Sequence, residues 1–162
     1  MSRPTHGNGH RSVKQTVMHL PAPPSRVFLL FCPERERDWI EGWDYEMVYS
    51  VSGYAEPGCI FISTLPPEGR TIWTFVEHDP DRHIVIHRIT PDLVSIRWQM
   101  DLTEPAPGRT EVAVTWVVTG LSPEGNRFID EVLDVRFSGL MARLEKLLDH
   151  YLRTGKPLPA DA

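Results

Sequence analysis

Two cysteines leave this chain of 162 residues without a disulfide framework. Cys32 and Cys59 form no CxxC pair and no zinc-type spacing. Each reads as a small buried apolar group with a free thiol. No apolar run approaches the roughly 20 residues of a membrane helix, so no membrane span is expected. The opening "MSRPTHGNGHR" lacks the apolar stretch of a secretory signal. Together these absences imply a reducing, cytoplasmic setting. Positive charge is also short, with 17 Lys and Arg against 22 Asp and Glu and a net charge of −5. No basic cluster offsets that balance, so no nucleic-acid partner is expected. Catalytic signatures are missing too: there is no GxSxG, no phosphate-cradling glycine loop and no Ser/His/Asp arrangement that spacing supports. His6 and His10 fall in a loose tail, and His78, His83 and His87 surround one hairpin. His83 and His87 share a strand face about 13 Å apart, too far to hold one ion. The sequence therefore predicts no metal and no cofactor, and these histidines read as solvated turn residues.

What is present suits one globular domain, with 41% hydrophobic and 24% charged residues. Fifteen prolines fall mostly in clusters that punctuate the chain: "LPAPPS", "LPPEG", "HDPD", "TEPAPG" and "LSPEG". Residues 1–11 are polar and glycine-rich and are expected to be a disordered tail, residues 12–153 the folded domain, and residues 154–162 a flexible C-terminal tail. "SVKQTVMHL" reads as a first strand, "PPSRVFLLF" as a short helix and "PERERDWI" as a second helical turn. Strands follow at "DYEMVYSV", "CIFIST", "RTIWTFVEH", "HIVIHRIT", "LVSIRWQMDLT" and "TEVAVTWVVT", with connections short enough for antiparallel hairpins.

The last element is the clearest. Ser122 can cap it, Pro123 suits its first position, and Gly155 and Pro157 end it. Between them Phe128, Val132, Leu133, Phe137, Leu140, Met141, Leu144, Leu148 and Tyr151 form one stripe at spacings of three and four. One helix of about thirty residues would span ~45 Å and must lie across a sheet to bury that stripe. The expected fold is α+β: a curved antiparallel sheet of six to seven strands, two short helices and one long C-terminal helix across it.

Alternation assigns the faces. Val112, Val114, Trp116 and Val118 share one side of the last strand, and Val94, Ile96, Trp98, Met100 and Leu102 share one side of the strand before it. If Trp73 lies opposite Arg88 across the "HDPD" turn, Phe75 faces Ile86 and Glu77 faces Ile84. That register turns Trp73, Phe75, Glu77, Arg88 and Trp98 toward the final helix. Arg88 then lies over Trp73 and presents its donors to a cavity, where a ligand carboxylate, water or a nearby acid satisfies them. A slip of one residue would send Arg88 to solvent instead.

One stretch stands out, "CPERERDWIEGWDYEMVY", which crowds two tryptophans and two tyrosines among charges. Trp39 and Trp43 either plug one end of the core or frame an opening into it. The charges from Glu34 to Asp38 read as a wet helical face, and one of those carboxylates, or Glu77, becomes a general acid or base only if an apolar cavity raises its pKa.

The element order, with "LPAPPSRVF" before the first helix, resembles the SRPBCC superfamily of START-related lipid-transfer domains, birch-pollen-type allergens and polyketide cyclases. The segment "CPERERDWIEGWDYEMVYSVSGYAEPGCIF" resembles an uncharacterised bacterial subgroup of it. The resemblance spans about Val13 to Leu152 and implies a helix-grip fold with a cavity between sheet and final helix. It implies a hydrophobic or aromatic, lipid- or polyketide-like small molecule as partner, contacted by Trp39, Trp43, Tyr45, Tyr49, Trp73, Phe75, Glu77, Arg88, Trp98, Phe137 and Met141. A polyketide cyclase or dehydratase acting in the same cavity, and a protein-interaction domain with a filled cavity, are the alternative expectations. Whether the chain is an enzyme, and whether it forms a homodimer, stays open at this level.

Overall fold

Short turns bearing proline and aspartate set the sheet. Asp81 and Asp92 take φ of 68° and 63° in the turns that follow Pro80 and Pro91, a left-handed conformation that aspartate tolerates better than most residues. The computed structural model describes residues 6–162. Its seven strands are β1 (Arg11–Leu20), β2 (Glu46–Tyr49), β3 (Ile60–Ser63), β4 (Thr71–Asp79), β5 (His83–Thr90), β6 (Val94–Thr103) and β7 (Thr110–Gly120). All neighbours are antiparallel, in the order β1-β7-β6-β5-β4-β3-β2. The helices are α1 (Pro24–Phe28), α2 (Pro33–Trp39), α3 (Pro123–Glu131) and α4 (Leu133–Thr154). This is the expected α+β layout, with seven strands.

The faces fall as alternation requires. Val112, Val114, Trp116 and Val118 are each at most 1% exposed, and the alternate residues of β6 from Val94 to Leu102 are buried with them. They meet Leu133, Phe137, Met141, Leu147, Leu148 and Leu152 of α4 in one core. Each large apolar side chain so buried contributes roughly 1.5–3 kcal/mol, which is what holds the helix to the sheet.

The C-terminal stripe is two helices rather than one. The chain leaves helical geometry at Val132, with φ −118° and ψ −33°, although Val132 N–H still reaches Phe128 O and Arg136 N–H reaches Val132 O. The apolar period runs through the break, so periodicity alone could not reveal it. The bend lets α3 pack on β7 while α4 crosses toward β1 and α2. Both ends carry the expected caps: Ser122 Oγ accepts from Gly125 N–H at 3.0 Å, and Gly155 takes φ +72° while donating to Tyr151 O.

The tails are more engaged than their composition implies. Residues 1–5 of the expected N-terminal tail lie outside the described residues. Asn8 O accepts from Asn126 Nδ2, and the His10 ring lies 2.9 Å from an Asp130 oxygen on α3. After α4 the chain turns back, where Leu158 bridges to Ile40 and Ala160 N–H donates to Glu41 at 2.9 Å.

One expectation of register fails. Trp73 lies opposite Arg88 and Phe75 opposite Ile86, but a bulge after Phe75 pairs Glu77 with Val85 and His78 with Ile84. The extra residue, Val76, reverses every side chain beyond it. Glu77 is therefore exposed on the outer face, 2.5 Å from His83 Nε2. His78 turns inward instead, its ring 4.8 Å from that of Phe28 and 5.9 Å from that of Phe75. Burial holds its pKa below the ordinary imidazole value, so it is no solvated turn residue. His87 is exposed, as expected.

Candidate functional site: a cavity between sheet and helix

Between the inner face of the sheet and α4 lies a cavity of about 360 Å³. Its wall is largely aromatic: Phe31, Trp39, Trp43, Phe61, Trp73, Phe75 and Trp98. The rings contact one another in sequence, with Phe61 stacked on Trp73 at 5.4 Å and Trp73 beside Trp98 at 6.0 Å. These positions are inner-face residues of β3, β4 and β6, so the pleat itself brings them together. The exposed or half-buried lining residues mark the mouth. Among them are Glu41, Leu65, Pro66 and Glu68 on loops, and Arg136, Leu140, Arg143 and Leu144 on α4.

Arg88 is the main polar feature of the wall. It is 8% exposed, with its guanidinium carbon 4.8 Å from the Trp73 ring centre and 5.9 Å from that of Trp116. Of the two registers the sequence left open, the structure has the one that turns Arg88 inward. The acid that answers it is Glu68, from the loop between β3 and β4, yet that pairing is loose: Arg88 Nη2 stands 3.7 Å from Glu68 Oε1. Glu68 gives its close contact to Arg136, whose Nε donates at 3.0 Å to the same oxygen. The Nε of Arg88 and the indole N–H groups of Trp98 and Trp116 are buried without any hydrogen-bond partner. A buried donor without an acceptor costs roughly 1–3 kcal/mol. Desolvation lowers the Arg88 pKa, with Glu68 opposing that effect, but an arginine stays charged at neutral pH.

Glu36 is the cavity residue the sequence left undistinguished among its charged neighbours. It lines the cavity with Met18, Phe31 and Trp39. The residue as a whole is only half-buried, but it lines this apolar space, and desolvation there pushes its carboxyl up to about 8. The signal was spacing: Glu36, Trp39 and Ile40 stand at i, i+3 and i+4 and so share one helix face.

Trp39 and Trp43 both line the cavity. Trp39 is 1% exposed and donates from Nε1 to Leu30 O at 3.0 Å. Trp43 donates to Pro33 O at 2.9 Å. The Trp39 N–H pins α2 to the chain before it, and the Trp43 N–H ties the loop after α2 back to its first residue. Tyr45 sits outside the lining. Its hydroxyl bonds Glu34, the Arg37 guanidinium lies 4.7 Å from its ring centre, and burial with the Glu34 carboxylate pushes its pKa up. Tyr49 is exposed. Phe137 and Met141 pack under the sheet near Trp116 rather than on the cavity wall, because the stretch of α4 that reaches the cavity begins a face away, at Arg136, Leu140, Arg143, Leu144 and Leu147. Both cysteines are buried, and burial pushes the Cys59 thiol up to about 11, far from nucleophilic character at neutral pH. Among the described residues no helix is long and apolar enough to cross a membrane.

No family model matches the chain, and no curated protein matches it. Solved structures do. Norcoclaurine synthase from Thalictrum flavum, in complex with dopamine and hydroxybenzaldehyde, superposes with a TM-score of 0.68 at 12% identity over 96% of this chain and 98% of that one. The Mll3558 protein from Rhizobium loti gives 0.66 at 21% identity over 88% and 98%. DynU16, a protein of the dynemicin biosynthetic locus, gives 0.59 at 17% identity over 90% of this chain, which spans about half of that longer one at 48%. At these identities the likeness is one of fold.

Proposed function

We propose that this chain, which has the helix-grip fold of the SRPBCC superfamily, binds a hydrophobic or aromatic small molecule in the space between its sheet and α4. The single observation that carries this reading is the cavity itself: about 360 Å³ of open volume, within the size range of small-molecule sites. It is walled by aromatic rings and contains buried donors that lack acceptors. Apolar burial supplies affinity, and Arg88 with the Trp98 N–H orients an acceptor group such as a carboxylate or carbonyl. The likeness to a synthase solved with two aromatic ligands supports a ligand of that general size. The open volume also weighs against the alternative of an interaction domain whose interior is filled.

Mass spectrometry of the gently purified protein under native conditions tests the reading directly. The expected result is a population carrying a bound apolar compound, or, for ligand-free protein, saturable uptake of 2-naphthoate. Absence of both retention and uptake would remove the proposal.

A further inference from the structure

We propose that Glu36 is a proton-transfer group, and that the cavity acts on an aromatic or apolar carbon acid whose C–H proton Glu36 takes and whose resulting oxyanion Arg88 holds. The inference rests on the small-molecule reading above and goes beyond it, from binding to chemistry.

The geometry of α2 isolates Glu36. Glu34 bonds Arg37 and Tyr45, Arg35 lies 3.1 Å from Asp38, and Arg37 reaches Asp44. Among the described residues Glu36 is the one charged side chain of that helix with neither an ionic nor a hydrogen-bond partner. The other charges facing the cavity are committed. Glu68, from the loop after β3, holds Arg136 and lies near Arg88; Glu41 accepts from Ala160 N–H; Arg143 of α4 reaches toward Ala160 O. An unpaired carboxyl in an apolar cavity is poorly solvated when ionised, which is why its pKa rises to about 8. A carboxylate poised there is a much stronger base than one in water, and the acid it becomes is near neutral poise for returning the proton. Arg88 supplies a fixed cation on the same cavity, with an Nε that has no other partner, as a site for developing negative charge requires.

A stringent probe is 5-nitrobenzisoxazole, a flat aromatic carbon acid. Ionised Glu36 takes the ring C–H proton, that electron pair closes the nitrile, the N–O bond breaks, and the oxygen leaves as a phenolate beside Arg88. Glu36 then passes its proton to solvent, so no co-reactant is needed. The absorbance of the phenolate reads the rate. The expected result is saturable turnover above buffer, rising with pH through about 8 to a plateau. Glu36→Gln should lower the plateau roughly a hundredfold or more, Arg88→Met should lower it about tenfold or more, and Asp38→Asn should leave it unchanged. Calorimetry with the unreactive isostere 5-nitroindazole separates the two readings. Binding without turnover, turnover that survives Glu36→Gln, or a pH midpoint in the ordinary carboxylate range would overturn the proton-transfer role and leave ligand binding standing. Failure of the isostere to bind would overturn both.

Discussion

A guanidinium held between two tryptophan rings is a costly object. Arg88 leaves most of its hydration behind and receives only a 3.7 Å approach from Glu68 in return. Under the proposed function that cost is offset by a ligand rather than by the fold. Arg88→Met should therefore weaken binding of 2-naphthoate roughly tenfold to a hundredfold, the range of a lost charged hydrogen bond, while the neutral 2-naphthalenemethanol loses little and the melting temperature barely moves. Calorimetry on the two ligands checks it, and equal losses for both would refute the orienting role. Glu36 makes a different prediction. Its pKa is raised in the folded state, so folding favours the protonated carboxyl; that stability is full below the unfolded value of 4.5 and is lost as pH rises through about 8. Between those limits wild type should fall relative to Glu36→Gln by up to about 1.4 kcal/mol per pH unit, with the two converging near pH 4, as urea unfolding at several pH values will show. On the outer face His83 behaves oppositely to His78. Hydrogen bonds to Asp101 and Glu77 raise its pKa, so its stabilising contribution is present below 6.5 and fades as pH climbs past the folded value. An NMR titration midpoint above 6.5, moved down by Asp101→Asn, is the expected signature.

At the scale of the element, one inserted residue decides which side chains see the interior. The bulge at Val76 leaves Trp73 and Phe75 on the cavity wall and turns Glu77 out and His78 in. Deleting Val76 should restore strict alternation, drive Glu77 against the core and break its contact with His83. A loss of at least about 2 kcal/mol in chemical denaturation is expected, since a buried unpaired carboxylate alone costs that much. Stability unchanged by the deletion would mean that the strand can slip without consequence. The rest of β4 to β7 was legible in the sequence because alternation there is strict and the turns are short. The break at Val132 was not, because an apolar stripe of period 3.6 continues across a bend as readily as along a straight helix. The edge of β1 is managed by α4, where Glu145 accepts from His19 N–H at 2.9 Å, a contact between residues 126 apart that no local pattern announces.

Across the whole molecule, segments distant in sequence close the cavity. Glu68 comes from the β3–β4 loop, Arg136 and Arg143 from α4, and Ile40 and Glu41 from the end of α2, the last two held from behind by Leu158 and Ala160 of the chain beyond α4. Removal of residues 157–162 should free Ile40 and Glu41 at the mouth and speed ligand exchange more than it lowers stability, as stopped-flow fluorescence against the melting temperature will report. Sequence by itself determined the α+β layout, most of the strands and their buried faces, and the helix caps, since these follow from periods of 2 and 3.6 and from turn chemistry acting over a few residues; the inward direction of Arg88 stayed open until the β4–β5 register was known. Tertiary structure alone decided that Glu68 would answer Arg88, that Glu77 would face solvent, that Phe137 and Met141 would pack as core, and that Glu36 among its charged neighbours would be left unpaired in an apolar space. Those outcomes depend on which surfaces meet once the chain is folded, and the electrostatic cost of a charge is set by what surrounds it rather than by the residues on either side of it.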